Sequence, residues 1–268
     1  MRIDFERLFQ AASRLVGPSH IQDGEIGLCV VDMLQALVAF DYSVTFAYRG
    51  ADRPIDLFST FTEQEYHVFV GLYQQGPYLL DPFYSAATLP KPGIWRMREL
   101  APDRFYASEY YRSYYIQTGL AEEIGFFVPV SEDVTVVISL MRNETTGAFK
   151  PAEYELLRKA APFVSAIVQS RWGDLSQRFD ARLARQKHKP QTGARAWGNK
   201  NLTEREKAII ELVLQGHSSE SIGLRLGVAT GTVKVHRRNI YRKLGISSQT
   251  QLMSHYLDSL KAPRHGES

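Results

Sequence analysis

Apolar positions recur at helical spacing near the start of the chain, at Phe5, Leu8, Phe9, Ala12, Leu15 and Val16, and again at Ile26, Val30, Met33, Leu34 and Leu37. Two amphipathic helices are predicted there. The period then drops to two. Val44, Phe46 and Tyr48, then Ile124, Phe126 and Val128, then Val134, Val136, Ile138 and Leu140 read as strands, the last two joined by the turn Ser131-Glu132-Asp133. Leu156, Leu157, Ala160, Val164, Ile167 and Val168 return to helical spacing, with Pro151 suited to the first turn of that helix and Pro162 expected to kink it. Helices bracketing hairpins predict an α+β fold, an α-β-α sandwich around an antiparallel sheet.

Beyond residue 200 the punctuation is of another kind. Thr203-Glu204-Arg205-Glu206 fits a capping box. Ile209, Ile210, Val213 and Leu214 follow at helical spacing, and Gly216 stands where a left-handed C-terminal cap wants glycine. Ser218 and Ser219 can cap a short second helix over Ile222 and Leu226, ended by Gly227. A third helix runs from Thr230 to about Leu244 with Gly245 as its stop, and Ser247 or Ser248 caps a fourth over Leu252, Tyr256 and Leu260. Four short helices with one tight turn predict a helix-turn-helix bundle.

Charge divides the chain at the same place. The overall net charge of +3 is the sum of −7 for residues 1–170 and +10 for residues 171–268. An acidic body and a basic tail domain predict that the second part meets a polyanion. Between them, Arg171 to Asn201 loses apolar periodicity and carries Lys189-Pro190-Gln191-Thr192-Gly193 and Gly198-Asn199-Lys200. The expected organisation is therefore an N-terminal domain, 1–170, a basic linker, 171–198, and a helix-turn-helix domain, 199–261. The early linker, Asp174 to Lys187, can continue as a basic helix.

At 268 residues with 44% hydrophobic and 23% charged side chains, the composition is that of an ordinary globular chain. One cysteine, Cys29 in an apolar run, leaves no intrachain disulfide or cysteine-built zinc site and predicts a buried thiol in a reducing compartment. The opening Met1 to Arg7 alternates charged and apolar residues, unlike a secretory signal, and apolar stretches such as Val134 to Met141 fall short of the about 20 residues needed to span a bilayer. A cytoplasmic protein with no membrane contact is expected.

The third C-terminal helix carries the chemistry. Val233, Ile240 and Leu244 share an inward face, with His236 or Arg237 between them, while Gly231, Lys234, Arg238 and Arg242 fall on another. Lys234 and Arg238, four apart near the helix start, are placed for base edges in a major groove, because their donors suit the acceptors of guanine. Thr230, Thr232 and Arg237 flank them and suit phosphates. Leu202-Thr203-x-Arg205-Glu206, Gly216, Ile222, Leu226 and Thr232-Val233-Lys234-x-His236-x-x-x-Ile240-x-x-Lys243-Leu244 together resemble the DNA-binding domain of LuxR-type transcription regulators over about residues 199–261. That resemblance implies a homodimer reading a two-fold symmetric site on double-stranded DNA, with Lys234 and Arg238 as base readers. RNA polymerase is a further expected partner. Gly223 departs from the family, in which alanine is commoner there.

Gln64 to Leu120 is dense in aromatics, including Tyr66, Phe69, Tyr73, Phe83, Trp95, Tyr106, Tyr110 and Tyr114. Tyrosines offer an apolar wall with hydroxyls that can orient a small molecule. Asp81, before Pro82 in an apolar setting, either accepts from a ligand N–H or caps the helix that Pro82 begins. Phe69-x-x-x-Tyr73, Asp81-Pro82, Trp95 and Gly119-Leu120 through Gly125 and Pro129 resemble the autoinducer-binding domain of the same regulators. The resemblance implies a small-molecule effector and a role in quorum sensing. In that family the aspartate takes the amide N–H of an acyl-homoserine lactone and a tryptophan at the Phe69 position binds the lactone carbonyl. Phenylalanine has no such donor. Tyr66, Phe69, Tyr73, Asp81, Phe83, Trp95, Tyr106 and Tyr110 are the candidate ligand residues.

Enzyme signatures are lacking: there is no Gly-x-Ser-x-Gly, His-Glu-x-x-His, phosphate-cradling loop or dinucleotide fingerprint, and the seven histidines are scattered. Neither a catalytic site, a metal site nor a cofactor is expected. A phosphorylated receiver would need early clustered acids and a strand-end aspartate, which the N-terminal strands do not supply. The alternative left open is a DNA-binding dimer whose N-terminal domain serves dimerisation or a protein partner without any ligand.

Overall fold

A computed structural model of the chain describes residues 3–17, 21–89, 91–113, 115–186 and 202–261. Tyr114 and residues 187–198 of the expected linker lie outside these. In chain order the elements are α1 (Phe5–Val16), α2 (Asp23–Gln35), β1 (Tyr42–Arg49), β2 (Ile55–Ser59), α3 (Glu63–Tyr66), α4 (Pro82–Thr88), β3 (Gly93–Arg96), α5 (Met97–Leu100), α6 (Glu109–Ser113), β4 (Leu120–Pro129), β5 (Val134–Asn143), α7 (Pro151–Arg171), α8 (Leu175–Gln186), α9 (Glu204–Gln215), α10 (Ser219–Leu226), α11 (Thr230–Leu244) and α12 (Gln249–Lys261). They form two units. One comprises Met1–Gly71, Phe83–Leu100 and Gly119–Arg185; the other, Leu72–Pro82, Ala101–Thr118 and Gln186–Ser268.

The first unit is built on one antiparallel sheet in the order β2-β1-β5-β4-β3. Alternation assigns its two faces. Ala47, Ile124, Phe126, Val136, Ile138 and Leu140 belong to a core shared with Cys29 and Leu34 of α2 and with Leu157 and Val164 of α7. Burial raises the Cys29 thiol above its ordinary pKa, as an apolar site does to any group that would become charged. Val44, Phe46, Tyr48, Gly125, Phe127, Val137 and Ser139 occupy the alternate positions, and they too are buried. Strands β2 and β3 have five and four residues, too few for a period of two to be read from the sequence.

The predicted apolar stripe of α1 divides. Asp4 caps the helix by accepting from the Arg7 amide, and Ala11 and Leu15 are buried, but Phe5, Phe9 and Val16 remain 58%, 66% and 74% exposed. Helix α7 runs unbroken through Pro162. Helix α8 and the turn before it change the reading of the linker, because Trp172, Leu175 and Phe179 lie in the same core as α2 and α7. Trp172 Nε1 donates to Asp23 at 2.9 Å, and the Arg49 guanidinium lies 4.8 Å over the Phe179 ring while pairing with Asp180 at 2.7 Å. Residues 171–185 are thus part of the first unit. The charges of this stretch conceal three apolar residues at helical spacing.

In the second unit the helix boundaries follow the capping chemistry. Thr203 and Glu206 make both bonds of the capping box on α9, and Ser218 caps α10 by accepting from the Ser221 amide. Gly216, Gly227 and Gly245 close α9, α10 and α11 in the left-handed region, where a Cβ is disfavoured. Ile209, Ile210, Val213, Leu214, Ile222, Val233, Ile240, Leu252 and Tyr256 are buried. The side chain of Leu260 lies outside those described. Gly223 has a local reason: a Cβ there would come within 2.7 Å of the Val228 carbonyl oxygen, which tucks under α10 where Gly223 in turn accepts from the Val228 amide.

Among the described residues no helix is long and apolar enough to cross a membrane.

Candidate functional site

Helix α11 separates its side chains as the sequence predicts. Val233, Ile240 and Leu244 are buried, whereas Gly231, Thr232, Lys234, Arg238 and Arg242 are exposed and Thr230 and Arg237 are half-buried. The exposed face carries three cations with no acidic residue in the first turn of the helix. Two contacts fix that face on the bundle. Arg237 Nη1 donates to Ser219 Oγ at 3.2 Å, orienting α11 against the first turn of α10, and Lys243 Nζ donates to Glu206 Oε2 at 2.8 Å, joining the far end of α11 to the start of α9. Burial opposes the ionisation of Glu206, but the bonds from Lys243 and Thr203 outweigh it and hold the carboxyl below its ordinary pKa. The bundle thus presents a pre-set cationic helix face of a width that a major groove admits.

His217, between α9 and α10, is of a different kind. Burial, seconded by the Arg225 charge, lowers its pKa to about 4 against a smaller opposing pull from Asp103. It is a neutral packed histidine whose Nδ1 shares a hydrogen bond with Ser221 Oγ at 2.9 Å.

The eight aromatic and acidic candidates fall into both units, four in each. In the first unit Phe69 stacks on Phe61 with centroids 4.4 Å apart and lies against Tyr42, and Phe83 meets Phe127 edge-on at 5.1 Å over Gly125. A Cβ on Gly125 would reach 2.8 Å from the Phe83 ring, so glycine is what lets this aromatic lie against the sheet. Tyr66 donates its hydroxyl to Asp56; burial and that bond push the phenol up to about 12. Trp95 donates its indole N–H to the Lys91 carbonyl at 3.0 Å and lines an open cavity of about 700 Å³ with Tyr154, Arg158 and Pro162.

In the second unit Tyr73 and Asp81 are both buried, and the Tyr73 hydroxyl donates to Asp81 Oδ2 at 2.6 Å. Asp81 is extended and immediately precedes α4, as a helix-capping residue would be. Tyr110 is buried among Phe105 and Tyr115, while Tyr106 is 61% exposed with its ring edge on Tyr111. Sequence reasoning passed over the hydroxyls of the sheet itself. Thr135 and Ser139 are buried opposite Tyr48 and Val44, on the face that also carries Phe46 and Phe127. Their polar places in an otherwise apolar alternation were the available signal.

Comparison with known proteins agrees with this geometry. The family model for bacterial regulatory proteins of the luxR family matches residues 200–256, which span α9, α10, α11 and most of α12. An HTH-type transcriptional regulator of the exeN 3' region in Aeromonas salmonicida is 30% identical over 190 residues, covering 67% of this chain and 94% of the relative. Among solved structures, the VqsR LBD domain from Pseudomonas aeruginosa shares the fold with a TM-score of 0.52 at 22% identity, over 62% of this chain and 94% of that one. SdiA from Escherichia coli aligns with 96% of this chain and 98% of its own at 16% identity and a TM-score of 0.44. The chain belongs to the luxR family of bacterial DNA-binding transcription regulators.

Proposed function

We propose that this regulator reads a specific DNA sequence as a homodimer through Lys234 and Arg238, under the control of a small, partly apolar molecule bound by the aromatic segment. The observation that carries the DNA part is the exposed cationic face of α11, held in orientation by Arg237 and Lys243. Thr230, Thr232, Arg237 and Arg242 then position the helix on phosphates, and Lys234 and Arg238 discriminate bases. In a dimer the two recognition helices sit about one DNA turn, ~34 Å, apart, and the effector acts by favouring the arrangement that meets this spacing.

The sensor part is supported by the buried pair of Tyr73 and Asp81, a carboxylate and a hydroxyl set among apolar rings. A ligand N–H would find an acceptor in Asp81, and the buried ring of Tyr110 in the same unit would supply apolar contact. Phe69 offers no hydrogen-bond donor, which argues for an effector other than an acyl-homoserine lactone. Tyr66 and Trp95 already spend their donors inside the protein, and Tyr106 is exposed.

Native mass spectrometry of the protein purified from its host, followed by denaturing release, tests the sensor. A stoichiometric small molecule that is absent from the Asp81→Ala variant supports it. A ligand-free dimer that still binds DNA assigns the first unit to dimerisation or a protein partner instead.

A further inference from the structure

The exposed face of α11 is not wholly cationic. Counted at about 100° per residue, Gly231, Val235, Arg238 and Arg242 fall within an arc of about 60° opposite the buried Val233, Ile240 and Leu244. Lys234 stands at one margin of this arc and Asn239 at the other. Val235 is 45% exposed, whereas Val213 and Val233 of the same bundle are buried. One exposed valine is ordinary on a protein surface. Its position is what distinguishes it: it points away from the bundle core, among the side chains that meet the major groove.

One turn before Val235, on the same line of the helix, stands Gly231. Gly216, Gly227 and Gly245 are at positive φ, and at Gly223 a Cβ would meet the Val228 carbonyl. Gly231 has neither reason. It lies in the regular helix, and among the described residues a Cβ there would meet no atom within 4 Å. Glycine weakens the first turn of a helix that alanine would strengthen. The folded chain thus gives up helix stability at 231 for no internal contact, and what it leaves is a smooth, open patch directly beside the valine.

We infer that Gly231 and Val235 form a shallow apolar seat for the methyl group of a thymine, so that the protein reads a T·A pair next to the pair read by Arg238. The inference rests on the DNA-facing reading of α11 and adds to it a base that the cations do not select. The thymine methyl is the apolar group that base edges present in the major groove, and an apolar side chain distinguishes it from cytosine, which carries hydrogen there. Val235 and Arg238 are three residues apart, about 4.5 Å along the helix axis, close to the ~3.4 Å rise of one base pair, so their contacts fall on neighbouring pairs. The missing Cβ at 231 lets the helix backbone come near enough to the base edges for the valine methyls to reach the thymine.

A methyl scan with the full-length chain tests the seat. Duplexes carrying the consensus that the protein selects from a random library are titrated by fluorescence anisotropy, with each thymine in turn replaced by deoxyuridine. That change removes the methyl and keeps every hydrogen-bonding group of the base. In each half-site one thymine, adjacent to the position at which Arg238→Ala loses base preference, should weaken binding about fourfold on replacement, the worth of one buried methyl. Val235→Ala should bind the thymine and deoxyuridine duplexes equally. Gly231→Ala should raise the thermal midpoint, since its Cβ meets open space in the free protein, yet bind the consensus about tenfold more weakly. A scan in which no replacement weakens binding, or a methyl dependence that survives Val235→Ala, overturns the thymine seat, while the consensus and its dependence on Lys234 and Arg238 still stand. Binding by Gly231→Ala as tight as that of the unaltered protein overturns the close approach. If the unaltered chain selects no consensus, or Lys234→Ala and Arg238→Ala select the same one as it does, the DNA-facing reading of α11 fails and the seat falls with it.

Discussion

Lys234 and Arg238 are exposed on α11 four residues apart, while Val233 beside them is fully buried. Substitution of either cation by alanine leaves that packing intact and should lower affinity for the cognate site by ~1–3 kcal/mol with relaxed base preference. Competition titrations against single-base variants of the site measure both effects. Gly223 is the reverse case, in which the missing side chain matters. Alanine should gain up to ~1 kcal/mol in helix propensity, but its Cβ meets the Val228 carbonyl at 2.7 Å, so Gly223→Ala is expected to lower the thermal midpoint. A raised midpoint would show that the turn yields. His217 sets a pH dependence. Folded, it stays neutral to about pH 4; unfolded, it takes a proton near 6.5, so the unfolded chain binds more protons in that interval. Stability should fall as pH drops through this window, and His217→Asn should flatten the midpoint-against-pH profile there.

Among the elements, α9 to α11 are stabilised by one another's ends. Glu206 caps α9 and accepts from Lys243 at the end of α11. Glu206→Ala removes the cap bonds and leaves Lys243 without that partner, a loss of ~1–3 kcal/mol in chemical denaturation. Because its folded pKa is depressed, the Glu206 contribution is present above about pH 4.5 and is lost as pH falls through the folded value. The turn between α7 and α8 makes a sharper distinction. Trp172 is completely buried, so Trp172→Ala should cost ~3–5 kcal/mol, whereas a linker residue would tolerate the change. The legible elements were those whose signals are local. Thr203, Ser218, Gly216, Gly227 and Gly245 marked the C-terminal helices almost to the residue, because caps and left-handed turns depend on near neighbours. Elements fixed by distant partners were not legible: α8 by Asp23 and Arg49, β3 by its pairing with β4, and the outward Phe5 and Phe9 by what covers only one side of α1. The candidate aromatic residues could be named, but which tyrosines spend their hydroxyls inside the protein depends on partners such as Asp56, which composition does not place.

For the whole molecule, the charge asymmetry seen in the sequence has a physical use. A chain carrying +10 in residues 171–268 is drawn to any polyanion, and the −7 of residues 1–170 opposes that attraction. Specific recognition must then come from the few side chains of α11, because charge alone binds all duplexes alike. The most direct measurement is selection of bound duplexes from a random library by the full-length protein, run in parallel with Lys234→Ala and Arg238→Ala. A short two-fold symmetric consensus should emerge, with information lost at fixed positions in each variant. Enrichment of no sequence, or the same consensus from all three proteins, would contradict base reading by these residues.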